Sequence, residues 1–584
     1  MTTPQEIITS ARNAPAKTAG ALVLSGLTAV LMWASFPPVD FGPLAWVCLI
    51  PLLMLVRIER PVKWMYAAVY GGGLLFWMSS LQWMRLGDPA MYFAWLALAV
   101  YLAAYFPVFL GLTRVAVWRL NLPLTLAAPV IWTGLELLRG HLLTGFSWYY
   151  LGHTQHQWTS LIQISDLVGA YGVSFLIALH AGCAAEMLPG WAFARFGLLP
   201  PAVTSSTLRV FKEPGQIARV AGCLTLLVAT LVYGQIRRSG IEFKAGPRVA
   251  LIQGNFTSAV KHDPEEWPKI QKRHEWLTGQ AVKEQPDLIV WPETMFRWPW
   301  VDMPRDVPAE ELQTLHPDKP VAQFQQAQSS VQKKLSNMAQ MAGAGMVIGL
   351  ERINIDRDSF RIYNSAVLVR PDGILAGQYD KLHRVMFGEY IPLVDSMPWL
   401  RKLTPFGEGF GISAGQACAA FEYEGYRFAP IICFEDTVPH LVRGIVNSTT
   451  VPAAQGTGRV DFLVNMTNDG WFHGSSELDQ HLITARFRCV ECRTPMVRAV
   501  NTGISAFIDG DGVVRKQAEG LKTHGPKLDD AIVVDHVPLD SRQSLYLRAG
   551  DWFAGLCLAC CGFVSLTGIF GRFFSAGSQR PERT

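Results

Sequence analysis

The 584-residue chain is 50% hydrophobic, only 17% charged and has a mean hydropathy of +0.20, values that exclude an ordinary soluble protein and a single domain. A formal net charge of +4, with no basic run interleaved with aromatic residues, gives no basis for a nucleic-acid partner. The ten cysteines are scattered, and Cys48, Cys183, Cys223, Cys557, Cys560 and Cys561 fall in apolar runs where a thiol acts as a small hydrophobe, so no disulfide framework is legible.

After a polar start that holds Arg12 and Lys17, apolar runs follow one another at 21–36, 41–57, 65–84, 90–113, 122–138, 165–188 and 218–236, with a last one at 551–574. Several approach the ~20 residues that a helix needs to cross ~30 Å of hydrocarbon; those at 41–57 and 122–138 are the shortest. Eight transmembrane helices are expected. A cleaved signal peptide competes for the first run, but no small-residue cleavage site precedes Pro37-Pro38, and further spans follow at once. With the amino terminus inside, the inner segments collect Arg57, Arg60, Lys63, Arg114, Arg119, Arg195, Arg209 and Lys212, while the short outer loops hold little beyond Arg85 and Arg139. The positive-inside rule therefore places 246–540 on the outer face and both chain ends in the cytoplasm. The expected division is a membrane domain of seven helices at 1–245, an outer domain at 246–540, and an eighth helix with a cytoplasmic tail at 541–584. The outer loop Gly145-Phe-Ser-Trp-Tyr-Tyr-Leu-Gly152 is rich in aromatics, which at a membrane interface are most often anchors.

The outer block has a different texture. β-rich runs at 248–253, 287–291, 346–352, 364–370, 427–433, 460–466, 496–500, 503–508 and 531–535 alternate with helical patterns at 264–284, 323–342 and 476–492, and Gly510-Asp-Gly512 signals a hairpin turn. This predicts an α/β or α+β domain. Connections at 294–320, 382–415 and 447–459 are long for a compact domain. The first two carry Phe296, Trp298, Trp300, Met303, Met386, Phe387, Met397, Trp399 and Phe406, so they read either as lids dipping toward the membrane or as segments packed on the domain. Cys489 and Cys492 have redox or zinc spacing, but no second Cys/His pair lies nearby, and no metal or other cofactor is expected.

Three apolar runs in this block each end on an ionisable group: Asp287-Leu-Ile-Val-Trp-Pro-Glu293, Gly377-Gln-Tyr-Asp-Lys381 followed by Phe387-Gly-Glu389-Tyr, and Phe428-Ala-Pro-Ile-Ile-Cys433-Phe434-Glu435. Strand ends in an α/β sheet converge on one rim, so carboxylate, ammonium and thiol can meet there. The segment 438–446 after Cys433 can open as a helix whose positive end favours a thiolate. Taken singly, Glu293 and Lys381 also read as solvated strand-end charges, Glu389 as a turn cap and Cys433 as a buried structural thiol.

In the order Glu, Lys, Glu, Cys these groups resemble the nitrilase superfamily. Together with Val249-Ala-Leu-Ile-Gln-Gly-Asn255, Asn468-Asp-Gly-Trp471-Phe and Arg498-Ala-Val-Asn-Thr-Gly503, the TrpProGlu and PheGlyGluTyr strings resemble the apolipoprotein N-acyltransferases, its membrane-embedded branch. The resemblance covers nearly the whole chain. It implies an αββα sandwich on a polytopic helical membrane protein of the bacterial inner membrane, acting as a monomer. It implies acyl transfer from a phospholipid to the α-amino group of the diacylglyceryl-cysteine that begins an apolipoprotein, through a thioester. Glu293 is then the general base, Cys433 the nucleophile and Lys381 the oxyanion stabiliser, with a backbone N–H near Phe434; Glu389 orients Lys381, and Glu435 supports the nucleophile. Trp148, Trp298, Phe387 and Trp471 are the candidate substrate-binding residues. The chain departs from the family pattern where His262 follows Lys261 in place of another aromatic, where Phe434 replaces a frequent Tyr, and where Met386 replaces a frequent Pro. A membrane-tethered amidase with water as acceptor shares the same set but needs only one span. A transporter predicts polar or charged residues and broken helices inside the spans; Glu136 and Asp166 lie near span ends and Glu186 in the sixth span, with no pair of matched interrupted helices.

Overall fold

The computed structural model describes residues 18–58, 61–89, 91–198, 214–304, 307–391, 394, 396–403, 411–448 and 459–576. Arg12, Lys17, Arg209, Lys212, Phe406 and most of the 447–459 connection lie outside these residues. The chain falls into two compact units, one formed by Met1–Arg85, Met91–Gly240 and Arg548–Thr584, the other by Leu86–Ala90 and Ile241–Leu547.

The first unit is helical. Among the described residues, four helices are long and apolar enough to cross a membrane: Met91–Trp118, Ala170–Met187, Gly215–Arg238 and Trp552–Ile569. The other four predicted spans are shorter. Thr18–Ala34, Met65–Ser80 and Leu124–Arg139 are single helices, whereas the 41–57 run falls into Gly42–Leu44, Ala45–Cys48 and Ile50–Arg57, with Pro43 and Pro51 in the first turns of the first and last pieces. Large apolar side chains such as Leu22, Phe93, Val228 and Phe563 point outward, and the polar groups lie inside. Each acidic group in the helices is paired, as an apolar surround requires: Glu136 accepts from Trp132 Nε1 and the Leu151 N–H, Asp166 from Tyr233 and Arg237, Glu186 from Thr125 and Arg219.

The aromatic loop is not an exposed anchor. Trp148, Tyr149, Tyr150 and Leu151 are buried, because Arg139 turns inward and donates to the carbonyls of Phe146, Trp148 and Tyr149 at 3.2, 2.7 and 3.3 Å. Arg139 thus serves as an internal cap of the loop rather than as a solvated loop charge.

Among the described residues the second unit has thirteen strands: β1 (Lys244–Gln253), β2 (Leu288–Val290), β3 (Phe296–Asp302), β4 (Gly345–Ile355), β5 (Phe360–Val369), β6 (Leu375–Asp380), β7 (Phe421–Tyr423), β8 (Tyr426–Ile432), β9 (Phe462–Thr467), β10 (Met496–Val500), β11 (Ala506–Ile508), β12 (Val514–Gln517) and β13 (Ala531–Leu539). One sheet has the order β13-β1-β2-β4-β5-β6, with β3 continuing along β4 beyond β2; the other has the order β12-β11-β10-β9-β8-β7. β1, β2 and β4 are parallel, as are β8, β9 and β10.

Side-chain alternation explains the layering. Val249, Leu251, Leu288 and Val290 meet Phe428, Ile432, Phe462 and Val464 between the sheets. The intervening Ala250, Ile252, Ile289 and Trp291 face outward onto Leu277 and Ala281 of helix Trp267–Ala281 and onto Val331, Leu335 and Ala339 of helix Val321–Ala342. On the far side Ala429, Ile431 and Leu463 pack on helices Pro439–Ser448 and Glu477–Cys492. The result is an αββα sandwich. Its helices bury residues spaced three and four apart, and helix Val321–Ala342 stops where Gly343 takes a left-handed φ of 63°.

The 294–320 connection is not a free lid. Phe296, Trp298 and Trp300 belong to β3, and Val301, Val307 and Leu312 form a small core with Val321, Ile353 and Ile355. The apolar residues there are accounted for by packing.

Candidate active site

Three strands deliver the predicted ionisable groups to one rim of the sandwich. β2 and β4 are parallel, and two antiparallel pairings restore the direction at β6, so Glu293, just after β2, and Lys381, just after β6, leave the first sheet at the same edge. The Lys381 ammonium lies 2.7 Å from Glu389 Oε1 and 3.6 Å from Glu293 Oε1, and it is fully buried. Burial alone would pull its pKa down; Glu389, Cys433 and Glu293 overcome that and hold it above the usual lysine value. Glu389 also accepts from the Val385 N–H at 2.7 Å, which fixes the turn that carries it. Asn364 on β5 joins the two strand ends. Its side chain donates to Glu293 Oε1 at 2.5 Å, and its carbonyl accepts from the Lys381 N–H at 2.9 Å.

Cys433 follows β8 at the start of a short 3₁₀ turn, Cys433–Thr437, with a left-handed φ of 52°. Thr294 and Phe387, at the two other corners of the site, have φ of 51° and 60°. Non-glycine residues in that region cost about 1–3 kcal/mol each and persist only where the surroundings impose them. One such constraint is Gly349 on β4, where a Cβ would lie 2.3 Å from the Pro292 carbonyl and 2.8 Å from Glu293 Cα. Only glycine lets the Glu293 corner settle on the sheet.

The expected helix-dipole activation is not what sets the thiol. The helix begins at Pro439, past the 3₁₀ turn. Burial, and then the Glu293 carboxylate, push Cys433 well above the usual thiol value, with Lys381 pulling the other way. A thiol in this setting needs a base before it can act as a nucleophile.

Glu435 holds the Cys433 turn to the Lys381 turn. Its carboxylate accepts from the Ile432 N–H at 2.7 Å, from the Leu382 and His383 N–H groups at 2.7 and 3.0 Å, and from the Tyr379 hydroxyl at 2.9 Å. Behind it lies a buried charge layer that sequence reasoning missed. Arg498 on β10 donates to Asp436 at 2.5 Å, to Asn465 at 3.0 Å and to Asp469 at 3.1 Å, while His481 bridges Asp436 at 2.8 Å and Asp469 at 3.0 Å. Burial and Arg498 oppose charge on His481, but the two carboxylates raise it to about 10, so it is an imidazolium donating from both nitrogens. Asp469, Glu477 and His481 have the spacing of a metal site, yet both ring nitrogens are already taken up by carboxylates. Cys489 and Cys492 are buried free thiols on the same helix as His481.

Of the candidate binding residues, Trp471 is half-buried with its ring 5.2 Å from that of His262. The departure at 262 therefore keeps a ring-to-ring contact, and burial lowers the pKa of this imidazole. Phe434 stacks on His383 at 5.8 Å. Phe387 adjoins Glu389 and donates its N–H to the Tyr390 carbonyl at 2.8 Å. Trp298 packs on the outer face of the first sheet, with the Lys334 ammonium 3.6 Å from its ring centroid. Trp148 belongs to the helical unit, against Trp83 at 5.3 Å. On the 382–415 connection, Met397 and Trp399 are 40% and 57% exposed.

A family model described as the apolipoprotein N-acyltransferase N-terminal domain matches residues 28–183, and one described as carbon-nitrogen hydrolase matches residues 248–545. The apolipoprotein N-acyltransferase of Rhodopirellula baltica is 32% identical over 582 residues, covering 93% of this chain and 96% of its own. That of Geobacter metallireducens is 32% identical over 558 residues, covering 93% and 94%. Among solved structures, an amidase of the nitrilase superfamily from Nesterenkonia AN1 aligns with 52% of this chain and 94% of its own, at 15% identity and a TM-score of 0.34.

The Glu435 clamp makes a direct prediction. Glu435→Gln replaces one accepting oxygen by an amide that repels a donor, which costs about 1–3 kcal/mol for the group left unpaired. Misplacing the thiol by ~1 Å costs roughly 10²-fold in rate. Turnover should fall by that order while the protein still purifies folded; an unchanged rate would remove Glu435 from the positioning of Cys433.

Proposed function

Because the chain belongs to the apolipoprotein N-acyltransferase family, we propose that its acyl transfer to apolipoproteins runs through a thioester on Cys433, with Glu293 and Lys381 as its partners. The observation that carries this reading is the meeting of Lys381 with both Glu293 and Glu389 at the rim where β8 ends in Cys433. Glu293 takes the proton from the thiol, whose raised pKa makes a base necessary. The sulfur attacks the ester carbonyl of the donor phospholipid. The Lys381 ammonium, kept charged by Glu389, and a backbone N–H near Phe434 receive the oxyanion, and the lysophospholipid leaves with the proton from Glu293. The α-amino group of the diacylglyceryl-cysteine, deprotonated through Glu293, then attacks the thioester and frees the thiol. Asn364 orients Glu293 throughout.

The hydrolase alternative is not favoured, because the relatives span both units and the match over 28–183 is to an N-acyltransferase domain. Eight spans, a domain division at 1–245, 246–540 and 541–584, an outward-facing catalytic domain, cytoplasmic termini and a monomer in the bacterial inner membrane complete the proposal. The Lys/Arg asymmetry of the short loops supports the orientation.

Activity tests the chemistry. Cys433→Ala should abolish N-acylation of a diacylglyceryl-cysteine peptide, and Glu293→Gln should slow it by roughly 10²–10⁴-fold. Lys381→Arg should not rescue, since a broad planar fork cannot occupy the seat of a compact ammonium between two carboxylates. Full activity of Cys433→Ala would refute the covalent route, and wild-type activity of Lys381→Arg would reduce the lysine to a general positive charge. Orientation is checked separately. A single cysteine at position 320, in a background without reactive thiols, should label from outside with an impermeant maleimide and one at position 205 should not; the reverse pattern would invert the topology.

A further inference from the structure

Lys261 is a second lysine at the catalytic rim, and the proposed chemistry gives it no role. It sits on the short helix Ser258–His262 that follows β1, and β1 runs parallel to β2, so the fold brings it to the edge where Glu293 emerges. Its backbone is fixed, with the N–H donating to the Thr257 carbonyl at 3.0 Å and the carbonyl accepting from Trp267 Nε1 at 3.2 Å. The side chain is only 6% exposed.

The charged groups that act on it are Glu293, Arg297, Cys433 and Lys381, with Glu351 and His262 also within its field. Among the described residues, however, no acceptor hydrogen-bonds to its ammonium and no carboxylate lies within ion-pair distance. Glu293 is already shared by Asn364 and Lys381. Burial, the largest influence, lowers its pKa to about 8. A buried ammonium with no carboxylate in contact is costly unless an anion arrives with a ligand.

Resting on the acyl-transfer reading above, we propose that Lys261 binds the phosphodiester of the donor phospholipid and thereby presents its acyl ester to Cys433. The donor carries its negative phosphate only a few bonds from the ester that is attacked, whereas the acceptor's reacting end offers an amine and neutral acyl esters. An ammonium at this position therefore selects a phospholipid over a neutral ester. Lys381 cannot serve both purposes, because Glu389 and Glu293 already engage it.

The experiment compares the full-length enzyme in detergent with dipalmitoyl phosphatidylglycerol and with p-nitrophenyl palmitate, which donates the same acyl chain without a phosphate. The readout is the rate at which each acylates Cys433 before any acceptor is added. Lys261→Met is expected to lose roughly 10–100-fold in efficiency with the phospholipid, the worth of one charge-assisted hydrogen bond, while its rate with the p-nitrophenyl ester stays within a few-fold of wild type. Lys261→Arg should keep most of the preference for the phospholipid. Equal losses with both donors, or an unchanged phospholipid rate, would overturn the proposal and leave Lys261 a structural part of the rim. A wild-type enzyme that forms no Cys433 adduct with either donor would instead overturn the thioester reading itself, and this inference with it.

Discussion

The Glu435 carboxylate is the constraint on which the candidate site depends. Cys433 ends a strand of one sheet and Lys381 ends a strand of the other, and nothing in either sheet's own hydrogen bonding fixes the distance between them. Glu435 supplies that link by accepting from Ile432 on the Cys433 side and from Leu382, His383 and Tyr379 on the Lys381 side. Its burial raises its own pKa, and the surrounding donors oppose the rise, so those donors are what keep a carboxylate tolerable there. Tyr379, on the strand that leads to Lys381, ties the clamp back into the core between the sheets.

A rigid floor makes the clamp effective. Asp436, next in the turn, is gripped by Arg498 and His481, which also grip Asp469 at the end of the neighbouring strand. Two cations and two carboxylates offset one another where all four are buried, so removing any one would strand an uncompensated buried charge. The left-handed corners at Thr294, Phe387 and Cys433 are stable against such a floor. Close packing, such as Gly349 against the Glu293 corner, leaves the strained corner little other conformation.

The catalytic candidates were legible because each ends an apolar run; the run pattern reached only an α/β or α+β domain, and the two-sheet sandwich was implied by the family resemblance. Their supports were not legible, since Asn364, Tyr379, Asn465 and Arg498 lie within strands and look like interruptions of an apolar pattern until tertiary pairing gives them partners. β3 was hidden for a local reason. Pro299 cannot donate to a ladder, and the pairing with β4 does skip register between Phe296 and Trp300, so the strand survives only by bending around the proline. Pro430 in β8 is tolerated similarly, because β7 pairs only with Tyr426–Phe428 and leaves that side of the strand open. In the helical unit, four of the eight expected spans are long and apolar enough to cross a membrane among the described residues, and hydropathy did not show the inward turn of the 145–152 loop, which depends on the buried Glu136 and Arg139 a few residues before it.

The central claim is that the acyl chain rests on Cys433 between two substrates that need not be bound together. Intact-mass analysis of the enzyme purified from membranes, without acceptor peptide, tests this most directly. The account predicts a protein heavier by one acyl chain, with the added mass mapped to Cys433 and released by neutral hydroxylamine. An unmodified mass after incubation with phospholipid, from enzyme that still acylates an added acceptor, would contradict it.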